Sequence, residues 1–273
     1  MSIPGASLVI YREAPSLHGL RTAALGSFEC DAAERGGALI REAMTRLKAE
    51  GFGAVLGPMD GNTWGRHRLV VESDGSRPFM LEPQNPLHYV QAFDQSGLRI
   101  VSRWVSAIRP ADIPPSDSPP PPGISLRSLD LSRFDEELSR IHALSLEQFA
   151  SNHFYVPISQ NAFLESYRPI LPAVVPDLVL LAENEAGELK AFLFAVPNYS
   201  EGPKPQTVIL KTYASATKGG GSMLANAFHE RARQHGFANV IHALMHETNL
   251  SARHSDKTGG KVFRRYALWG GAL

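Results

Sequence analysis

The chain has 273 residues, 43% of them hydrophobic, and its 27 lysines and arginines balance 27 aspartates and glutamates. That length suits one large domain or two small ones, the composition excludes collagen-like and wholly disordered classes, and zero net charge gives no global pull towards nucleic acid or an anionic membrane. The single cysteine, Cys30, makes no intramolecular disulfide, and the sequence has neither a leader-like start nor a spanning apolar run, so a soluble cytoplasmic protein acting on a small molecule is expected.

In the first half, residues 22–28 read as a strand, 38–50 as an amphipathic helix and 53–57 as a second short strand. Proline then concentrates between Ile108 and Gly123, where it removes backbone donors and favours an extended chain. A semi-rigid linker is predicted over 109–123, dividing 1–108 from 124–273. Beyond it, 124–129 is a strand, 131–149 a helix with Phe134, Leu138, Ile141, Leu144 and Leu146 on its apolar face, and 160–167 a short helix. Residues 177–182 and 189–196 form a hairpin around Glu185 to Gly187, followed by a strand at 207–213, a helix at 222–235 and a strand at 239–244. The order βααβββαβαβ for this half implies an α/β (α+β) fold, a mixed and mostly antiparallel sheet with helices on both faces.

The halves can be laid over each other. Gly51-Phe-Gly-Ala-Val55 matches Gly236-Phe-Ala-Asn-Val240 at a helix-to-strand corner, where glycine supplies a left-handed residue. Gly97-Leu-Arg-Ile-Val-Ser-Arg-Trp104 parallels Gly259-Gly-Lys-Val-Phe-Arg-Arg-Tyr266. An internal duplication is expected.

Lys218-Gly-Gly-Gly-Ser222 lies between the strand ending near Tyr213 and the next helix. Three glycines let backbone approach a ligand, and a helix start offers free N–H groups, so the segment reads either as a diphosphate cradle or as a plain flexible turn. It contains neither the GxxxxGK[ST] nor the GxGxxG pattern. On the last strand, alternation puts His242, Leu244 and His246 on one side. His242 reads as a core histidine, whereas His246 and Glu247, at the strand end, are candidates for a general base. HExxH is absent, and no metal site is expected.

This order of elements, with the glycine loop, resembles the Gcn5-related N-acetyltransferase family over residues 124–269, in a tandem two-module form whose first copy is partial. The family's Q/R-x-x-G-x-G/A loop falls on Gly219 and Gly221, with Ala216 at the Q/R position. Its N-x-x-A…G segment falls on Asn249-Leu-Ser-Ala252 and Gly260, and Asp256 stands where many members carry a tyrosine acid. The resemblance implies an acyl-CoA N-acyltransferase fold in two copies, with acetyl-CoA or another acyl-CoA as cofactor. It further implies transfer of the acyl group to an amine by direct attack on the thioester. Tyr213, Ala214 and Ser215 are placed along the thioester arm, with a backbone N–H near Tyr213 or Ala214 facing the carbonyl oxygen. Lys218, Gly219, Gly220, Gly221 and Ser222 are placed at the diphosphate, Asn249 and Arg253 beside the nucleotide end, and His246 and Glu247 at the reacting amine.

In the first copy, the counterpart of that loop carries Asp31 and Glu34 where phosphates would lie, so this copy is expected to hold no cofactor. The segments around Trp64, Arg68 and Glu82 are similar to those of double-module members and, with Tyr155, predict a wall of the acceptor site. The expected partner is a small-molecule or peptide amine, with no nucleic acid or membrane, and the chain is expected to be a monomer or homodimer. Ala216 and Asp256 keep an alternative open, a noncatalytic CoA or acyl-CoA sensor or scaffold with a degenerate acetyltransferase fold.

Overall fold

The computed structural model describes residues 1–112 and 120–273. Two short strands, β1 (Ser2–Ile3) and β2 (Ala6–Tyr11), form a hairpin at one sheet edge. β3 (Thr22–Cys30), α1 (Ala33–Ala49) and β4 (Ala54–Gly57) follow, with β4 parallel to β3. α1 buries Gly36, Leu39, Ile40, Ala43 and Leu47, the spacing of one helical face. It begins before the expected Ala38, and the region matched to a cofactor loop is mostly packed helix. Glycines 36 and 37 weaken helix propensity in sequence, yet here they serve packing: a Cβ on Gly36 would lie 2.8 Å from Ala92 Cβ.

β5 (Leu69–Ser73), α2 (Leu87–Gln95) and β6 (Arg99–Pro110) complete the first half. β6 carries its ladder through Arg109 and Pro110, and residues 113–119 of the expected linker lie outside the described residues. The second half contains β7 (Ile124–Ser128), α3 (Phe134–Gln148), α4 (Gln160–Tyr167), β8 (Val179–Asn184), β9 (Leu189–Pro197) and β10 (Thr207–Ser215). It ends with α5 (Gly220–Gln234), β11 (Asn239–His246), α6 (Leu250–Lys257) and β12 (Lys261–Ala272). This is the βααβββαβαβ order expected from the sequence.

The matched Gly-Phe pairs close both long helices in the same way. The Gly51 N–H donates to Lys48 and the Phe52 N–H to Leu47; the Gly236 N–H donates to Arg233 and the Phe237 N–H to Ala232. Both glycines are left-handed, at φ 79° and 77°, which makes two Schellman motifs.

Among the described residues the strands form one sheet in the order β1-β2-β3-β4-β12-β6-β11-β10-β9-β8-β7, with β5 also paired to β12. β3/β4 and β10/β11 are parallel, and the remaining pairs are antiparallel. At its centre the halves exchange strands. β6, from the first half, pairs with β11 of the second; β12, from the second half, pairs with β4 of the first; and β6 and β12 pair with each other, setting Trp104 opposite Tyr266. The two segments matched in sequence are therefore equivalent strands about a central axis.

Alternation along each strand divides the core. In the second half, Val179, Leu181 and Ile209 meet α3 and α4, while Leu180, Leu193 and Val208 meet Met223, Leu224 and Phe228 of α5 on the other face. In the first half α1 and α2 cover one face. On the opposite face, Phe154, from the α3–α4 connection of the second half, packs against Leu56, Trp104 and Tyr266. No helix among the described residues is long and apolar enough to cross a membrane.

Candidate active site

The β10/β11 ladder stops early. The strands pair from Thr207 to Leu210 against Asn239 to His242, after which β10 continues along β9 and β11 along β6. Each strand shifts register where they part, between Leu210 and Thr212 and between His242 and Met245. Such bulges bend a strand and free its edge. At the second, Leu244 is left-handed with φ 55°, and its N–H donates to Ser106 Oγ at 2.9 Å. The strands thus splay around a cavity of about 1300 Å³, larger than most small-molecule sites.

The equivalent gap between β3 and β4 is plugged by the chain itself. The Met59 N–H donates to Leu25 O at 2.8 Å, and Asp60 Oδ1 accepts from the Ser27 N–H at 2.5 Å. Met59 is fully buried, and a Cβ on Gly26 would fall 2.4 Å from both Met59 O and Asp60 Oδ1.

One end of the open cavity is built by the turn from β10 into α5. Ser215 Oγ donates to Thr217 O and accepts from its N–H, and left-handed Gly219, φ 82°, caps the helix. Gly220 lies where a Cβ would meet Ser215 Oγ at 2.2 Å, and Gly221 packs against the Tyr213 ring. These close approaches bring Gly221, in the first turn of α5, to the cavity, while the Gly220 N–H is taken by Thr217 O. Of the residues expected along a cofactor, Tyr213, Ala214, Ser215, Gly221 and Asn249 line the cavity; Lys218, Gly219, Gly220, Ser222 and Arg253 do not. Lys218, Gly219 and Arg253 are exposed, as is Asp256.

Three buried polar atoms on the walls have no partner among the described residues, Ser145 Oγ, Tyr155 OH and His229 Nδ1. Buried polar groups are normally paired, so all three suit a ligand with polar groups along its length. Large volume, a glycine-lined helix start and orphaned polar atoms together fit an extended nucleotide-type molecule such as acyl-CoA. His242 is a satisfied core histidine: Nδ1 bonds Ser255 Oγ at 2.7 Å, Nε2 meets His229 Nε2 at 3.2 Å, and burial pushes its pKa down to about 3.

At the other end the two halves meet. His246 is half-buried, with Nε2 on Ser102 Oγ at 2.9 Å and Nδ1 on Thr248 Oγ1 at 2.9 Å. Its ring stands edge-on to Trp104 at 5.4 Å and to His153 at 6.0 Å. Burial, then the His153 charge, holds its pKa below the ordinary histidine value. Glu247 turns away from the cavity to Arg265, Oε1 to Nη1 3.1 Å.

Trp64, Arg68, Glu82 and Tyr155, expected at an acceptor wall, all line the cavity, in different settings. The Trp64 Nε1–H donates to Val156 O at 2.9 Å, and its ring stands edge-on to Tyr155 and Phe163. Arg68 lies over Trp104, 4.4 Å from the ring centre, and donates to His67 Nε2 and to Leu244 O. Glu82 is buried in a structural network: Oε1 is 3.1 Å from Arg264 Nε and accepts from Tyr266 OH at 2.7 Å, and Oε2 accepts from the Phe79 N–H. Lys211, at the β10 bulge, also lines the cavity, and sequence reasoning missed it. Burial, then repulsion from Arg68, brings its pKa down to about 7.

No protein-family model matches the chain, and neither does any curated protein. Solved structures do match. A GCN5-related N-acetyltransferase from Sphaerobacter thermophilus is similar over 98% of this chain and 76% of its own, with a TM-score of 0.56 and 14% identity. A tandem GNAT protein from the clavulanic acid biosynthesis pathway, in a structure without AcCoA, is similar over 98% and 79%, with a TM-score of 0.54 and 14% identity. A probable N-acyltransferase from Enterococcus faecalis is similar over 98% and 59%, with a TM-score of 0.60 and 11% identity. At these identities the likeness is one of fold.

Proposed function

This chain has the fold of the tandem Gcn5-related N-acetyltransferases, and from that premise we propose that it is an acyl-CoA-dependent N-acyltransferase working in the cavity between β10 and β11. The observation that carries the reading is the early parting of these strands directly onto the glycine-lined start of α5.

The bound acyl-CoA supplies a thioester carbon open to attack by an amine. Tyr213, Ala214 and Ser215 hold its arm, and the edge of β10 beyond Leu210, without a ladder partner on β11, offers N–H groups to the carbonyl oxygen. A preoriented donor of this kind lowers a barrier by about 2.7–4 kcal/mol. The first turn of α5, through Gly221, faces the diphosphate, with Asn249 towards the nucleotide. Residues 1–108 act as a partner module without cofactor and supply the acceptor wall through Trp64 and Arg68. In the reaction a C–N bond forms as the C–S bond breaks, the sulfur leaves as thiol, and the amine gives up a proton. His246, held neutral by burial, receives that proton.

A noncatalytic CoA sensor is the second reading, favoured by one observation: both His246 nitrogens are already bonded to hydroxyls and Glu247 is held by Arg265. Titration of the purified chain with CoA and acetyl-CoA, with ATP and NAD as controls, tests the site. Selective binding near micromolar, about −8 kcal/mol, is expected. Gly221→Asp should abolish it, because the side chain meets Tyr213 and sets a charge against the diphosphate. Unchanged affinity in a folded Gly221→Asp protein would remove the assignment, and turnover with an amine panel separates enzyme from sensor.

A further inference from the structure

The charged side chains on the cavity wall do not balance. Glu82 is its carboxylate, and Glu82 is already paired with Arg264. Arg66 is paired with Asp60, and Arg109 is partnered too. Arg68 and Lys211 make no ion pair among the described residues. They come from different segments of the cavity wall, one from the loop before β5 and the other from the β10 bulge. Both are largely withdrawn from water: burial brings Arg68 down to about 9, and burial followed by repulsion from Arg68 brings Lys211 down to about 7. Two desolvated like charges without a counter-ion are costly, and an anion between them removes the cost. Arg68 is also oriented for such a ligand. Trp104 backs its plane, and its bonds to Leu244 O and His67 Nε2 leave part of its five-donor fork open.

We infer that Arg68 and Lys211 form a seat for a carboxylate carried by one of the two reacting molecules, either an acceptor of amino-acid type or the acyl chain of a dicarboxylic acyl-CoA. The inference rests on the acyltransferase reading and narrows it. Polyamines and aminoglycosides would bring a third positive charge to this end of the cavity. An amino-acid-type acceptor places its carboxylate on the pair and its amine towards His246; a dicarboxylic acyl chain places its distal carboxylate there.

Calorimetric titration of the full chain tests this with matched pairs. In one arm, CoA-loaded protein is titrated with glycine, β-alanine and 4-aminobutyrate, each against the alkylamine of equal length. In the other, free protein is titrated with succinyl-CoA against butyryl-CoA. One arm should favour the carboxylate by about tenfold or more, and that arm names its source. Arg68→Met and Lys211→Met, tested separately, should each cut the preference to about twofold while CoA affinity holds. A chain that binds CoA but shows no carboxylate preference in either arm overturns the seat. Glutarate, titrated alone, keeps the two readings apart: if CoA fails to bind, glutarate affinity that falls in both variants upholds the seat, and glutarate affinity that does not fall overturns it.

Discussion

Lys211 and His246 both have pKa values depressed by burial, with different consequences. The folded value of Lys211, about 7, lies below its ordinary 10.5, so from about pH 7 upward the unfolded chain binds the extra proton and stability rises with pH. Below about pH 7 the amine is charged in both states and the full cost of burying it is present. Lys211→Met should therefore melt higher than the parent at about pH 6, with the gap closing towards about pH 10; a gap independent of pH would contradict this. In the proposed role His246 must be neutral to accept a proton, and activity should then fall only when acid protonates it, below the ordinary histidine range. His246→Gln should erase that acid limb and lower kcat by about 10²–10⁴-fold, read from the pH profile of kcat/KM. His246 was legible because it ends an alternating strand. Lys211 was not, because a lone lysine in Thr-Val-Ile-Leu-Lys-Thr-Tyr reads as the solvent side of a strand. Its surroundings come from a loop far away in sequence, and the bulge at Lys211 breaks the period on which the reading depends.

The open end of β11 is held by a hydrogen-bonded chain that crosses both halves. The Leu244 N–H bonds Ser106 Oγ on β6, which bonds Tyr266 OH on β12, which donates to Glu82, and Glu82 is paired with Arg264. Arg264 also holds Asp74 and the Ser76 carbonyl, tying the loop after β5 to β12. Both members of the Glu82–Arg264 pair are almost wholly buried, so removing one strands the other. Arg264→Met should cost about 3–5 kcal/mol in urea denaturation at neutral pH. Part of that loss should return in acid, because burial already raises the Glu82 pKa and protonation removes the stranded charge. An effect under about 1 kcal/mol would mean that the network carries little of the stability. The sequence offered Glu82 as part of an acceptor wall; Glu82 does line the cavity, but its partners sit at the far end of the chain, and no spacing rule connects residues 82 and 264.

At the scale of the whole molecule, the sequence revealed the duplication and the element order of the second half, because both rest on local period and on repeated glycine and aromatic positions. Gly51 and Gly236 are an example: one left-handed residue closes each long helix, and the same Gly-Phe pair marks both. The strand exchange left no such trace. Whether β12 lies beside β11 or beside β4 changes neither its alternation nor its composition, since either neighbour presents the same apolar pleat. Duplication would ordinarily double what a chain can carry. Here Met59 and Asp60 occupy the gap between β3 and β4 from within, while the matching gap between β10 and β11 stands open. Saturating titration should therefore level off at one equivalent of CoA per chain, and two equivalents would show the first gap to be available after all. A duplicated fold that counts as one in the titration has turned its first copy from a vessel into a wall.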